Sequence, residues 1–255
     1  MTATLTSAAA SLDRGPWSFR NRLLNGAGWH NQRVVSGTVT LAAGVYGHDR
    51  WKAGAGGCTY TFATSGADTV FTITAGTLLQ VIENINIEGG TYTASWVGTA
   101  TARIYQGAAS GSYAASGFTV TGLAAKTATA IEFSTGTMSL AQVEPGSFVT
   151  PFERRFVPFE LSLCQRYFEI DGGYNPDKAM YEAYGISGNN YNAFVRYLAP
   201  KRAVPTLTIT NVAAGGFNTA IDYQESGIEG FRVRHTATST GTIYYIDSWK
   251  AEAEL

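Results

Sequence analysis

The side chains able to move protons are few. His30, His48 and His235 are the only histidines. Nucleophilic catalysis needs such a base beside a serine or cysteine. In GVYGHDRWKAG, His48 and Asp49 are adjacent, but neighbouring strand residues point to opposite faces of a sheet. The chain also has no G-x-S-x-G elbow. His48 therefore reads as a turn or strand-edge residue.

Metal sites need clustered ligands such as C-x2-C or H-E-x-x-H, and the chain has neither. No cofactor is expected. A structural calcium ion would need several oxygen ligands. The loop LLNGAGWHN, Leu23–Asn31, and Glu144 are the candidate donors. Glycosidases hold two carboxylates about 5 to 9.5 Å apart. Glu83 with Glu88, and Glu153 with Glu160, are close in sequence, but neither pair sits in the aromatic and polar context of a sugar cleft. The glycines of AGAGG, Ala53–Gly57, have the wrong spacing for a phosphate loop and no Lys-Ser/Thr after them, so they read as a β-turn. The expectation is a protein that is not an enzyme.

One segment has the chemistry of a recognition surface. YNPDKAMYEAYGISGNNYNAFVRY carries Tyr174, Tyr181, Tyr184, Tyr191 and Tyr197, with Asn175, Asp177, Asn189 and Asn190. A pyranose offers an apolar C–H face and a hydroxyl rim, and Tyr-Asn surfaces meet both. Tyr174, Tyr184, Asn189, Asn190 and Tyr191 are the glycan-binding candidates. The other reading is that tyrosines at strand spacing fill a core or a subunit interface. Trp29, Trp51, Trp96 and Trp249 sit in strand-like patterns and read as core.

The elements that would position these groups are mostly strands. The chain has 255 residues, of which 45% are hydrophobic, enough for a sizeable core. Charged residues are 15%, against roughly 25% for an average soluble protein. Abundant threonine and glycine favour pleated strands and turns. In TYTFAT, Tyr60 and Phe62 alternate with threonines. Phe71 and Ile73 share a face, as do Tyr92, Ala94 and Trp96. LLQVIENINIEGG is apolar at Leu79, Val81, Ile85 and Ile87. Short strands separated by turn residues signal an antiparallel sandwich.

Composition then shifts. No threonine occurs from Pro151 to Pro205, while five of the seven prolines do. Leu161, Cys164 and Tyr167 with Phe168 recur at helical spacing and predict about two turns of helix. Pro151 and Pro158 stiffen the crossing. The expected fold is all-β. An N-terminal arm (1–20) precedes an antiparallel jelly-roll sandwich (21–153), a segment with a short helix (154–168) and a smaller β-sandwich tip domain (169–255).

Net charge is −1, and no Lys/Arg run exceeds two residues. A nucleic-acid partner is therefore not expected. No apolar run approaches the roughly 20 residues that span a membrane, and the start lacks a signal-peptide pattern. Synthesis and folding in a cytoplasm are expected, with Cys58 and Cys164 as buried small hydrophobes.

The stretch LAQVEPGSFVTPFERRFVPFELSLCQRYFE resembles a junction found in fibre, spike and related structural proteins of tailed bacteriophages. The matching residues are Val143-Glu144-Pro145-Gly146, Val149 to Arg154, Glu160-Leu161 and Cys164 to Phe168. LLNGAGWHNQR with GVYGHDRWKAG is similar to the start of the N-terminal jelly roll in such proteins, and GFRVRHTATSTGTIYYIDSWKAEAEL to their C-terminal strand pair. The resemblance covers most of residues 21–255; Pro145 and the short arm, residues 1–20, depart from it.

The resemblance implies a virion-surface component assembled in the host cytoplasm, with a carbohydrate-binding-module-like jelly roll. It implies a homotrimer and adhesion to bacterial surface polysaccharide. Phe152, Phe159, Leu161, Cys164 and Phe168 would make interdomain or oligomer contacts. Leu12, Trp17 and Phe19 of the arm would attach to other virion proteins. The second reading is a head or tail decoration protein without glycan recognition. The third, a polysaccharide depolymerase, lacks β-helix repeats.

Overall fold

A computed structural model describes residues 19–170, 181–216 and 223–255. The chain divides into two compact units between Glu160 and Leu161, with Leu255 grouped with the first. The described elements are mostly strands, in antiparallel sheets, with one α-helix among them.

In the first unit, two long strands form a hairpin. β2 (Lys52–Ser65) turns at Gly66 into β3 (Asp68–Ile82), where a positive φ of 63° suits glycine. β1 (Val39–Leu41) pairs with β2. β4 (Gly90–Val97), β5 (Ala102–Gln106), β6 (Phe118–Leu123), β7 (Thr129–Phe133) and β8 (Gly136–Pro145) follow. The first half of β3 pairs with β8 and the second half with β7. One strand thus supports two branches, β8-β4-β6 and β7-β5.

The core follows the alternation in these strands. Tyr60, Phe71, Ile73, Tyr92, Ala94 and Trp96 are buried in one cluster. Its rings meet at an angle rather than stacking: Trp96 to Phe133 at 5.0 Å, Trp51 to Phe133 at 5.8 Å, Tyr60 to Phe71 at 5.7 Å.

Two local expectations change. The AGAGG glycines form no β-turn; they lie inside β2, where the register with β3 shifts between Ala53 and Cys58. At that bulge Gly76 faces Gly57, and a Cβ on Gly76 would meet the Gly57 carbonyl oxygen at 2.0 Å. The glycines are there because two backbones touch. Ile85, expected to continue a strand row, is exposed in a 3-10 turn over Asn84–Asn86, because β3 ends at Ile82. Leu78 and Ile82, not Leu79 and Val81, enter the main core.

The helix α1 (Val157–Gln165) has Pro158 in its first turn, where a missing N–H costs no helical bond. It ends before the expected Tyr167 and Phe168. The Tyr167 N–H donates to the Cys164 carbonyl at 2.9 Å, and Phe168 already begins a strand.

The second unit contains β9 (Phe168–Ile170), β10 (Tyr181–Gly185), β11 (Asn190–Arg196), β12 (Thr206–Gly215), β13 (Tyr223–Ser226), β14 (Gly230–Thr236) and β15 (Gly241–Glu252). β15 pairs with β9, β10 and β12 in one sheet. A separate three-stranded sheet runs β11-β14-β13. Its buried Ala193, Phe231 and Val233 share a cluster with Trp249 and Ala251 of β15, so the two sheets pack as layers.

Candidate functional site

His48, Tyr60 and Cys58 lie together in the first unit's interior. His48 is buried in a loop, with Phe62 and Phe71 edge-on at 4.4 and 4.8 Å. Its backbone N–H donates to Tyr60 Oη at 3.2 Å, and Nδ1 lies 3.0 Å from the same oxygen. Burial pushes the imidazole pKa down to about 4 and the Tyr60 phenol up to about 12. Cys58 is also buried, and its thiol is pushed up to about 11. None of these is poised for catalysis near neutrality.

The carboxylates of the VEPGSFVTPFERRFVPFE stretch tie the chain together. Glu144 accepts from the Thr150 N–H at 2.9 Å, Thr150 Oγ1 at 2.6 Å, Gln142 Nε2 at 2.9 Å and Arg20 Nε at 3.1 Å. Glu153 accepts from the Asn21 N–H at 2.8 Å. Glu160 accepts from the Asn25 N–H at 2.5 Å and from Arg155 Nη1 at 3.1 Å. Arg154 forks onto Asp68 with two bonds of 2.7 Å. Among the described residues, no group of three His, Cys, Asp or Glu is placed to hold a metal ion.

The glycan candidates do not share one surface. Tyr174 lies outside the described residues, as do Leu12 and Trp17. Tyr184 is 74% exposed on β10, paired with Thr242 of β15. Asn189 is exposed in the β10–β11 turn, where its N–H donates to the Ile186 carbonyl at 3.1 Å. Asn190 and Tyr191 are neighbours on β11 and so face opposite ways. Tyr191 packs on the second core, and its Oη accepts from the Ile186 N–H at 2.8 Å. Asn190 points to the open side, where its Oδ1 accepts from Thr236 Oγ1 at 2.8 Å.

That open side is where recognition chemistry gathers. Asn190, Asn192, Phe194 and Arg196 alternate along β11 and are all exposed. Phe194 is 63% exposed. Arg232 of β14 stands opposite it, and Glu225 of β13 stands opposite Arg232. The three make one row across the sheet, with Arg232 Nη2 bonded to Glu225 Oε2 at 2.9 Å. Beside the row is an open groove of about 480 Å³, lined by Phe194, Glu225, Ile228, Glu229, Gly230 and Arg232. Gly230 makes room for the ring: a Cβ there would meet Phe194 Cζ at 2.8 Å and the Val195 carbonyl oxygen at 2.4 Å.

Of the residues on this open side, only Asn190 was among the sequence candidates. The missed signal was in the alternation itself. NYNAFVR puts a phenylalanine in phase with two asparagines and an arginine, on the face that should be polar. GFRVRHT puts Arg232 and Arg234 on the matching face of the neighbouring strand.

The proposed contact residues also separate. Phe19 and Phe159 are partly exposed and meet edge to face at 5.7 Å. Phe152 and Leu161 are half-buried, and Cys164 and Phe168 are buried.

Comparison with protein-family models, with curated proteins and with solved structures gives no match to this chain.

Proposed function

We propose that this chain is a non-enzymatic fibre or spike subunit of a tailed bacteriophage that binds bacterial surface glycan. The observation that carries the binding role is Phe194. It is a large ring left 63% exposed on a strand whose other outward side chains are Asn190, Asn192 and Arg196. A sugar's C–H face would lie on the ring, and its hydroxyls would meet the asparagine, arginine and glutamate groups around it.

The virion assignment rests on the junction Val143–Phe168 and its resemblance to phage fibre and spike proteins. An all-β chain with few charges suits such a role. In this reading the first unit is the jelly roll and the second is the tip domain. The subunit forms a homotrimer on the virion surface, attached by its N-terminal arm. Exposed Phe19, Phe156, Val157 and Phe159 support the oligomer reading, since apolar groups left in water favour contact with another surface. Weak single sites suit a trimer on a multivalent particle, where linkage raises avidity by about 10²–10⁴-fold.

The test is binding of the full chain to glycan arrays and to host-range cells. Wild-type protein binds, and Phe194→Ala loses binding while keeping its melting temperature. Binding that survives Phe194→Ala would remove this surface from the adhesive role. A chain that binds no cell or glycan would be a decoration protein.

A further inference from the structure

The sheet that presents Phe194 differs in charge from the chain as a whole. Net charge is −1, but the outward positions of β11 and β14 carry Arg196, Arg232 and Arg234. Among the described residues, the carboxylates lining the groove beside them are Glu225, on the sheet, and Glu229, in the turn. Arginines on one small face set a local field that the net charge conceals.

Arg232 shows which anion fits. Its guanidinium already holds a carboxylate, Glu225, at 2.9 Å, and both side chains are about half exposed. An exposed pair of this kind contributes little to stability. Arginine's planar fork matches a carboxylate in geometry as well as charge. A ligand carboxylate can therefore replace Glu225 at small cost, with Phe194 one strand away to carry the ring that bears it.

We infer that the β11-β14-β13 face binds an acidic polysaccharide whose sugars carry ring carboxylates, with Arg232 as the carboxylate partner and Phe194 as the ring platform. This rests on the glycan-binding reading above and narrows it. Arg196 and Arg234 add attraction along the face. Glu225 competes with the ligand for Arg232.

The experiment compares four probes on the full chain by calorimetry or biolayer interferometry: polygalacturonate, neutral dextran, dextran sulfate and single-stranded DNA. Polygalacturonate binds about ten-fold or more tighter than dextran, and the binding weakens as salt rises. Arg232→Gln reduces binding about ten-fold, the order expected for a lost charge-assisted bond. Glu225→Gln, which removes the competing carboxylate, strengthens it. Circular dichroism and melting show that each variant is folded; these side chains are exposed.

Dextran bound as well as polygalacturonate, with Arg232→Gln silent, would overturn the acidic-ligand inference and leave the glycan reading standing. Equal binding of dextran sulfate or DNA would also overturn it, because the face would then be a general anion surface. No binding to any polysaccharide, together with cell adhesion unchanged by Phe194→Ala, would remove both.

Discussion

Lys201 Nζ lies 2.5 Å from Glu169 Oε2, and the two residues are 2% and 1% exposed. The ammonium also donates to the carbonyls of Gln165 at 2.7 Å and Ala199 at 2.9 Å, and sits 4.4 Å from the centre of the Tyr197 ring. The carboxylate accepts from the Leu198 N–H at 2.9 Å. Burial alone lowers the lysine pKa, and Glu169 opposes that shift. The pair joins the segment at β9 to the 198–201 loop within the second unit.

Removing one partner strands the other without water. Lys201→Met should therefore destabilise the second unit by about 3–5 kcal/mol. The double variant Lys201→Met/Glu169→Leu should recover a good part of that loss. Urea unfolding followed by tryptophan fluorescence reads both, and a single variant as stable as wild type would disprove the account.

His48 predicts an acid-side loss of stability. The folded pKa of about 4 lies below the ordinary 6.5. The unfolded chain therefore binds the proton first as pH falls. The contribution is fully present above about pH 6.5, shrinks between 6.5 and 4, and levels off below 4. The full span is about 3 kcal/mol. His48→Gln should flatten this part of the stability–pH curve, measured by denaturation at several pH values.

Gly76→Ala should cost about 3 kcal/mol or more. It adds a Cβ 2.0 Å from the Gly57 carbonyl oxygen at a positive φ of 68°, so both clash and backbone strain oppose it. Gly56→Ala, where nothing lies within 4 Å of the added atom, is the control and should cost about 1 kcal/mol or less. Thermal melting compares them.

Glu144→Gln tests the junction. Glu144 is buried and accepts four hydrogen bonds from Thr150, Gln142 and Arg20. The amide leaves some of those donors facing another donor, at about 2–3 kcal/mol. Hydrogen exchange should show faster exchange at the Thr150 amide than in wild type. Unchanged protection there would count against the account.

Tyr184→Ala and Phe194→Ala separate two glycan surfaces. Both side chains are exposed, so stability should change by less than about 0.5 kcal/mol in each. Glycan binding should fall only in Phe194→Ala, because Tyr184 sits on the other sheet. The reverse result in the array assay would move the site to β10.

Much of the fold is readable residue by residue. The alternation Tyr92-Ala94-Trp96 names an inward face because strand geometry has a period of two and apolar side chains leave water. The same rule misled at Leu79 and Val81, where Leu78 and Ile82 enter the main core instead, and at Ile85, which a 3-10 turn exposes, but it held at Ile87, which is buried in that core. The site was less legible. Tyr184, Asn190 and Tyr191 cluster in sequence, but the turn sends them to two sheets and opposite faces.

By itself the amino-acid sequence determined the all-β character and the change of composition near Pro151. Those follow from local propensity and from residue types, which need no partner. Only the tertiary structure decided that Phe194, Arg232 and Glu225 form a row, that Lys201 meets Glu169, and that Gly57 faces Gly76. Each of these joins residues far apart in the chain, and strand register, which long-range pairing sets, decides which side chains meet.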